Sequence, residues 1–499
     1  MELLATIVSL ILAVEVVFGL FVLVVSLKIA HLRLLANRRP PPSSSSPYTQ
    51  TVGIFHPECH AAGGGERVLW YGVRAILESD PHCRIVIFAK LSSSEEPSAV
   101  LERASVRFGV KGLLDFLHQG RVTFVRLRWA GLLEPEAYPR LTLVGQSLGA
   151  MVVAAEALWK FVPDIWLDTV GHAFTYPVAW SCGCRVACYT HYPTVSTDML
   201  ERVWARRPAY ISENAAGSEP KGSSSSTTGT NTPSSASARA VVNSRAKYVY
   251  YRLFSWAYLA AGRFAEVVMV NSTWTQNHIE QLWGREALVV FPPCAIDEFQ
   301  AACKPKRERI IASLGQFRPE KDHRLQILSL VQLKERLKGR LVPKLVLFGS
   351  CRGSSDEARV EELREFAKKY EVDEFVEFAL NVPFEELKDR LGGALLGIHT
   401  MWNEHFGIAL VEIMAAGSIL VAHNSGGPKT DIIKHRETGY LASTAEDYAD
   451  AMLEVLDMHD NGKVEALEAM RTRAQESLDR FSEPSFTIKW NAAMKPLLC

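Results

Sequence analysis

Net charge is missing from this sequence. Its 499 residues carry 55 Lys+Arg against 55 Asp+Glu, so the formal charge is zero at pH 7. No electrostatic preference for nucleic acid follows from such a balance, and none is expected. Cysteine is sparse as well, nine in all and an odd number. That excludes a secreted disulfide scaffold and fits reduced thiols in a cytosolic setting. Positive charge is lacking before the first apolar run, where a cleaved signal peptide would carry it.

That run, "LLATIVSLILAVEVVFGLFVLVVSL" from Leu3 to Leu27, is apolar apart from Glu15 and a few small hydroxyl residues. About 20 apolar residues suffice for a helix to cross a bilayer. The basic residues Lys28, Arg33, Arg38 and Arg39 come after it. The reading is a retained single-pass anchor with everything from Lys28 onward on the cytosolic side. "RRPPPSSSSPYTQ" then reads as a linker. A second low-complexity stretch, "ENAAGSEPKGSSSSTTGTNTPSSASARA" over 213–240, has almost no large apolar residue and reads as a disordered insert. Asn271-Ser272-Thr273 matches a glycosylation sequon, which a cytosolic face would leave unused.

Hydrophobic residues make up 48% of the chain, and its length exceeds what one core organises, so two domains are expected. Short strand-like runs alternate with helical-period segments. "TVGIFHP", "CRIVIFA", "VTFVRL", "RLTLVG", "DIWLDT", "RVACYTHYP" and "AEVVMVNS" form one series; "RIIASLG", "KLVLFGS", "FVEFAL", "ALLGIHT" and "SILVAHNS" form another. Such alternation implies α/β domains with doubly wound parallel sheets and ligands at the carboxyl ends of the strands. "VVFPPCAIDEF" links the two series. The expected organisation is an anchor in 1–30, a linker over 31–48, a first Rossmann-like domain over 49–292, a second over 293–480, and a segment 481–499 that packs back on the first.

"NEHFGIALVE" carries Glu404 and Glu412 eight positions apart. On one continuous helix they would lie about 12 Å apart along the axis and roughly 80° apart around it, so they would not share a face. Glu404 is expected in a loop at a strand end and Glu412 within the following helix. The backbone amides of His405, Phe406 and Gly407 at the helix start form an anion site, and Gly407 admits a ligand close to the backbone. The ordinary alternative leaves Glu404 solvated in its loop and Glu412 on a polar helix face. "SLGQFRPEKDH" brings Arg318 and Lys321 to a strand end where cations meet a diphosphate. "HAAGGGERVLW" puts Gly64 and Gly65 at a helix start, either as a ligand approach or as a plain loop. "CYTHYPT" places His191 just after a strand, where a packed histidine is the bland reading.

Together these residues resemble glycosyltransferase family 4, the retaining enzymes of GT-B architecture. The stretches "GGGERVLW", "HYPTVSTDML", "VNSTWTQNHI", "GQFRPEKDH" and "NEHFGIALVEIMAAG" are similar to its branch of endoplasmic reticulum α-1,2-mannosyltransferases. The resemblance covers nearly the whole chain. It implies an acceptor-side first domain and a nucleotide-sugar-binding second domain. It also implies transfer from GDP-mannose to a dolichol-linked oligosaccharide on the cytosolic face of the endoplasmic reticulum membrane, beside other early N-glycan mannosyltransferases. Glu404, Lys321 and His191 would be catalytic. Glu404 would hold donor-sugar hydroxyls, Lys321 would neutralise the diphosphate and His191 would lie beside the reacting sugar. Arg318, Glu412, His405, Phe406, Gly407, Gly64 and Gly65 would bind the donor, Glu412 through its ribose. One departure stands out: where the family usually has arginine directly after the glycine of the lysine loop, this chain has Gln316. No metal cofactor is expected, because the Asp-x-Asp of metal-dependent transferases is missing.

Three other readings compete. A different nucleotide sugar would leave the same architecture. "GQSLG" over 145–149 matches the Gly-x-Ser-x-Gly elbow of α/β-hydrolases, with Ser147 as nucleophile and His172 or His191 and Asp168 as partners; this would leave the second domain without a role. Cys182, Cys184, Cys188 and His191 could form a metal module, but they lack the usual two-residue zinc spacing. Finally, "YVYYRLFSWAYLAAGRF" over 248–264 is aromatic and basic and reads equally as an interfacial helix or a core helix.

Overall fold

The computed structural model describes residues 48–498, apart from 62, 93 and 195–249, together with Val25. The apolar run at 3–27, the linker after it and the insert at 213–240 lie outside these residues, but for Val25 and Tyr48.

The apolar runs become two parallel sheets. The first orders seven strands β3-β2-β1-β4-β5-β6-β7, with β1 (Gln50–Phe55) lying between β2 (Cys83–Ala89) and β4 (Ile165–Asp168). Outward from these lie β3 (Val122–Arg126) on one side and β5 (Arg185–Thr190), β6 (Val267–Val270) and β7 (Leu288–Val289) on the other. The second orders six strands β10-β9-β8-β11-β12-β13. They are β8 (Glu308–Leu314), β9 (Lys344–Gly349), β10 (Val376–Leu380), β11 (Ala394–His399), β12 (Ile419–His423) and β13 (Tyr440–Ala442). Val, Ile and Leu run continuously rather than alternately in the central strands because helices cover both faces. β11 is buried along its whole length. Each order reverses direction beside its first strand, so the loops after β1, β4, β8 and β11 open at a topological switch point.

One expected strand is not a strand. "RLTLVG" enters the helix Thr142–Lys160, with Leu141 as its N-cap at φ +53°. Ser147 therefore lies a turn and a half inside a helix, where its Oγ donates to the Leu143 carbonyl at 2.7 Å. The flanking glycines serve close packing: a Cβ on Gly145 would fall 2.3 Å from the Tyr138 ring, and one on Gly149 would fall 2.2 Å from the Leu132 carbonyl oxygen. No nucleophile elbow exists here. The same helix is long and apolar enough to cross a membrane, yet Val153, Ala154, Ala157 and Leu158 pack into the core of the first sheet.

The sequon is also structural. Asn271 is buried, Ser272 caps the helix Thr273–Trp283 by accepting from the Thr275 amide at 3.1 Å, and Asn271 Oδ1 accepts from Thr275 Oγ1 at 2.7 Å. The helix over 250–262 is a core helix on one face. Phe254, Tyr258 and Ala261 enter the core, while Leu253 and Trp256 face outward between Arg252 and Arg263.

The chain ends on the first sheet. Its C-terminal helix, Glu483–Leu498, lies against the helix Gly64–Ser79. Trp490 is fully buried, seated where Gly72 has no side chain, and Tyr71 meets Phe486 edge-on at 6.4 Å. Arg74 pairs with Glu483, and Gln50 Nε2 donates to the Leu497 carbonyl at 2.8 Å. Truncating a buried tryptophan commonly costs about 3–5 kcal/mol. Trp490→Ala is accordingly expected to destabilise the protein by about that amount in urea unfolding followed by circular dichroism; a loss under about 1 kcal/mol would mean the helix is only loosely docked.

Candidate active site

The carboxyl ends of β8, β11 and β12 converge on Glu404. Its loop follows β11, and its side chain is buried. Lys321, from the loop after β8, places Nζ 2.5 Å from Glu404 Oε2. His399, the last residue of β11, holds Nε2 3.2 Å from the same oxygen, off the line of a good hydrogen bond. Glu404 Oε1 accepts from the His405 amide at 3.2 Å, and the Glu404 carbonyl accepts from the Gly427 amide at 2.8 Å, which ties in the loop after β12. Burial alone would raise this carboxyl, but Lys321 and then His399 outweigh it and hold it well below the ordinary range. Glu404 is thus a buried, ionised acceptor.

The next helix, Ile408–Ala415, begins four residues after Glu404, with Gly407 as N-cap at φ +102°. A side chain there would be strained, and a Cβ would lie 2.6 Å from Leu410 Cδ1. The amides of Phe406 and Gly407 donate to nothing among the described residues, leaving the helix start free for an anion. The Phe406 ring is not at the cleft. It packs between Phe291 and Phe481 in the second domain's core, so only its backbone is available to a ligand.

Across the cleft stands the start of the helix Gly64–Ser79. A Cβ on Gly64 would fall 2.8 Å from Ile408 Cδ1, and one on Gly65 would fall 3.5 Å from His191 Nε2. His191 is therefore beside the glycine loop. Burial, and next the nearby His56, push its imidazole down to about 4, so it is neutral at pH 7. Its Nε2 is enclosed without a hydrogen-bond partner among the described residues. Glu66 accepts from the Gly63 amide at 2.6 Å and lies 3.3 Å from His56 Nε2, while His56 Nδ1 meets Thr169 Oγ1 at 2.8 Å. His405 stacks on Tyr192 with ring centroids 4.1 Å apart, closing the cleft from the first domain's side. Burial also brings His405 down to about 4.

The sequence-derived set divides in space. Glu404, Lys321 and the His405–Gly407 backbone form one cluster, with His191, Gly64 and Gly65 opposite. Glu412 lies within its helix and faces Arg67 of the first domain, Nη1 to Oε1 3.2 Å. Arg318 is exposed and has no ion-pair partner among the described residues. Among the described residues, no three His, Cys, Asp or Glu side chains come together as a metal site. Cys188 instead lies buried in β5, where burial drives its thiol up to about 12. Asp168, named as a hydrolase partner, is used locally, accepting from Tyr176 at 2.7 Å and from the Val170 amide at 3.0 Å. Arg67, His399 and His56 went unnoticed in the sequence. Only the position of His399 at a strand end could have signalled it.

Two Rossmann-like sheets facing a cleft, with an ionised carboxylate, a lysine and a free helix start at the bottom, define a GT-B glycosyltransferase. Solved structures share the fold. Sucrose-phosphate synthase from Thermosynechococcus elongatus aligns with TM-score 0.60 at 15% identity, over 90% of this chain and 99% of that one. Anabaena Alr3699/HepE in complex with UDP aligns with TM-score 0.57 at 13% identity, over 90% and 100%. Residues 49–283 match the family model for the ALG11 mannosyltransferase N-terminus, and residues 296–477 match that for glycosyl transferases group 1. The GDP-Man:Man(3)GlcNAc(2)-PP-Dol alpha-1,2-mannosyltransferase of Mus musculus is 39% identical over 496 residues, spanning 95% of this chain and 93% of that protein. The Dictyostelium discoideum protein of the same name is 38% identical over 461 residues, spanning 90% and 85%. The chain belongs to the ALG11 mannosyltransferase family.

The depressed Glu404 carboxyl makes a stability prediction. It titrates lower in the folded than in the unfolded chain, so it stabilises the fold above the ordinary carboxylate range, near about 4.3, and loses that contribution as pH falls through its folded value. Urea unfolding of the wild type and Glu404→Gln is expected to show a stability gap at pH 7 that narrows steadily below about pH 4. An unchanged gap would mean that Glu404 is not held ionised by its partners.

Proposed function

We propose that this chain is a retaining α-1,2-mannosyltransferase that moves mannose from GDP-mannose to dolichol-diphosphate-linked Man3GlcNAc2, adding the fourth and fifth mannoses. The observation that carries this reading is the Glu404–Lys321 pair beside the free amides of Phe406 and Gly407. It supplies an anionic acceptor and a cationic, amide-lined anion site side by side. A nucleotide sugar asks for both, because its sugar offers hydroxyl donors and its diphosphate offers negative charge.

In this reading Glu404 accepts hydrogen bonds from hydroxyls of the donor mannose. Lys321 and the helix-start amides hold the diphosphate and stabilise the charge that grows on it as the anomeric bond breaks. Glu412 accepts from the ribose hydroxyls. Neutral His191, beside Gly65, presents Nε2 to the transferred sugar. Retention follows from attack on the face the phosphate leaves: the bonding pair of the anomeric C–O bond goes to the phosphate oxygen, the acceptor oxygen bonds the anomeric carbon, and the acceptor proton passes to the departing phosphate. Lys321 sits where it would meet that charge without a metal.

The acceptor is lipid-linked, and a membrane-held enzyme suits it. The Leu3–Leu27 run supports a single-pass anchor, and the basic flank after it supports cytosolic placement at the endoplasmic reticulum. The outward face of the helix over 250–262, with Leu253 and Trp256 between two arginines, suits the bilayer interface near the acceptor.

Two experiments test this. Detergent-solubilised protein is given a panel of sugar nucleotides and dolichol-linked acceptors, with GDP-mannose and the Man3 acceptor expected to react. Glu404→Ala and Lys321→Ala should each lower transfer by at least about tenfold, since a lost charge-assisted contact costs about 1.5–3 kcal/mol. Ser147→Ala should stay within a few fold, because its hydroxyl only back-bonds within a helix. A dead Ser147→Ala beside an active Glu404→Ala overturns the assignment. The second experiment adds excess EDTA. Transfer should persist, and complete loss restored by manganese would show a metal-dependent reaction.

A further inference from the structure

Glu412 is the second glutamate of the site, yet its hydrogen bond runs across the cleft rather than within its own domain. Arg67 reaches it from the first turn and a half of the helix Gly64–Ser79, Nη1 to Oε1 at 3.2 Å. Their side chains are only 11% and 14% exposed, so neither charge is solvated well enough to stand alone. Glu412 Oε2 makes no hydrogen bond to protein among the described residues. One oxygen is thus fixed by the first domain and the other is left for a ligand.

We propose that Arg67 is a positioning residue for donor binding: it orients and charge-balances Glu412 from the opposite domain, so that affinity for the nucleotide ribose depends on a residue that does not touch it. This rests on the reading in which Glu412 receives the ribose hydroxyls.

Among the described residues, Arg67 is the charge that favours an ionised Glu412. Burial pushes the Glu412 carboxyl up, Arg67 opposes this, and Glu298 on the neighbouring Ile296–Ala301 helix adds to the rise. The thiol of Cys294 also faces Glu412 and stays protonated, its own titration driven up by burial. Without Arg67, every remaining influence favours the protonated carboxyl. A protonated carboxyl has lost an acceptor site and the negative charge that assists the hydrogen bonds of a vicinal diol. Gly64 against Ile408 keeps the two helix starts close enough for the guanidinium to span the cleft.

The test uses full-length enzyme, GDP-mannose and a Man3 dolichol-linked acceptor, with folding checked by circular dichroism. Arg67→Met is expected to raise the donor KM about tenfold at pH 7 while changing kcat less, a loss of roughly one charge-assisted contact. The sign of its pH dependence follows from the loss of the cation, which favours the protonated Glu412: the KM defect should deepen as pH falls and recover as pH rises, and more steeply than any pH dependence of the wild-type KM. Arg67→Lys, which keeps a cation, should remain within a few fold of wild type. A defect in kcat alone, or a KM defect that does not change with pH, would make Arg67 a mere clamp between domains and overturn the proposal. Should Arg67→Met not fold, Arg67→Met/Glu412→Gln is compared with Glu412→Gln: equal donor KM values support action through Glu412, and a further rise in the double variant refutes it. Wild-type enzyme that transfers nothing from GDP-mannose would instead defeat the functional reading, a result distinct from any of these.

Discussion

A carboxylate buried at the bottom of the cleft sets the terms for the second domain. An isolated buried carboxylate would take up a proton. Glu404 stays charged because Lys321 comes to it from one strand end, and His399 adds to this from another. A third loop, after β12, is tied in by the Gly427 amide. These loops are far apart in sequence and adjacent only because β8, β11 and β12 are neighbours in a parallel sheet. The sheet order is thus a requirement of the charge.

The same logic extends across the cleft. The second domain supplies charge and a free helix start, and the first supplies a glycine loop, a neutral histidine and an arginine. Among the described residues their contacts include Gly64 on Ile408, Arg67 on Glu412, Tyr192 and Trp274 on His405, and the Thr273 amide on Asp431 Oδ2 at 3.0 Å. The C-terminal helix restrains the domains further, since it leaves the second sheet and buries Trp490 against the first. A charged hollow lined by Lys304, Arg309, Lys344, Asp389 and Arg390 lies at the amino ends of the second sheet. There Lys304 pairs with Asp389 and Arg390 with Glu377.

Strands and helices were legible to different degrees. Continuous Val, Ile and Leu runs between turn residues read correctly as buried parallel strands, and the glycine loop before "ERVLWYGVRAILES" read correctly as a helix start. "RLTLVG" misled because its β-branched and apolar residues fit a strand as well as a helix over so short a window. What decided it was the downstream 142–160 segment, whose apolar side chains could pack on the first sheet only as a helix. β7 and β13 escaped notice because two or three residues show no period.

The sequence by itself determined the kind of protein: two doubly wound domains and the motifs that mark a glycosyltransferase family. Glycine, lysine and glutamate at strand ends carry that information locally, because backbone approach and helix-start amides act within a few residues. Tertiary structure alone decided which charges meet. Arg67 and Glu412 are 345 positions apart, and in the chain Arg67 reads as an ordinary polar residue of a helix's second turn. Its partner, its burial and its leverage on the site arise only when two separate sheets bring their helix starts together, since Coulombic pairing depends on distance in space and on the exclusion of water.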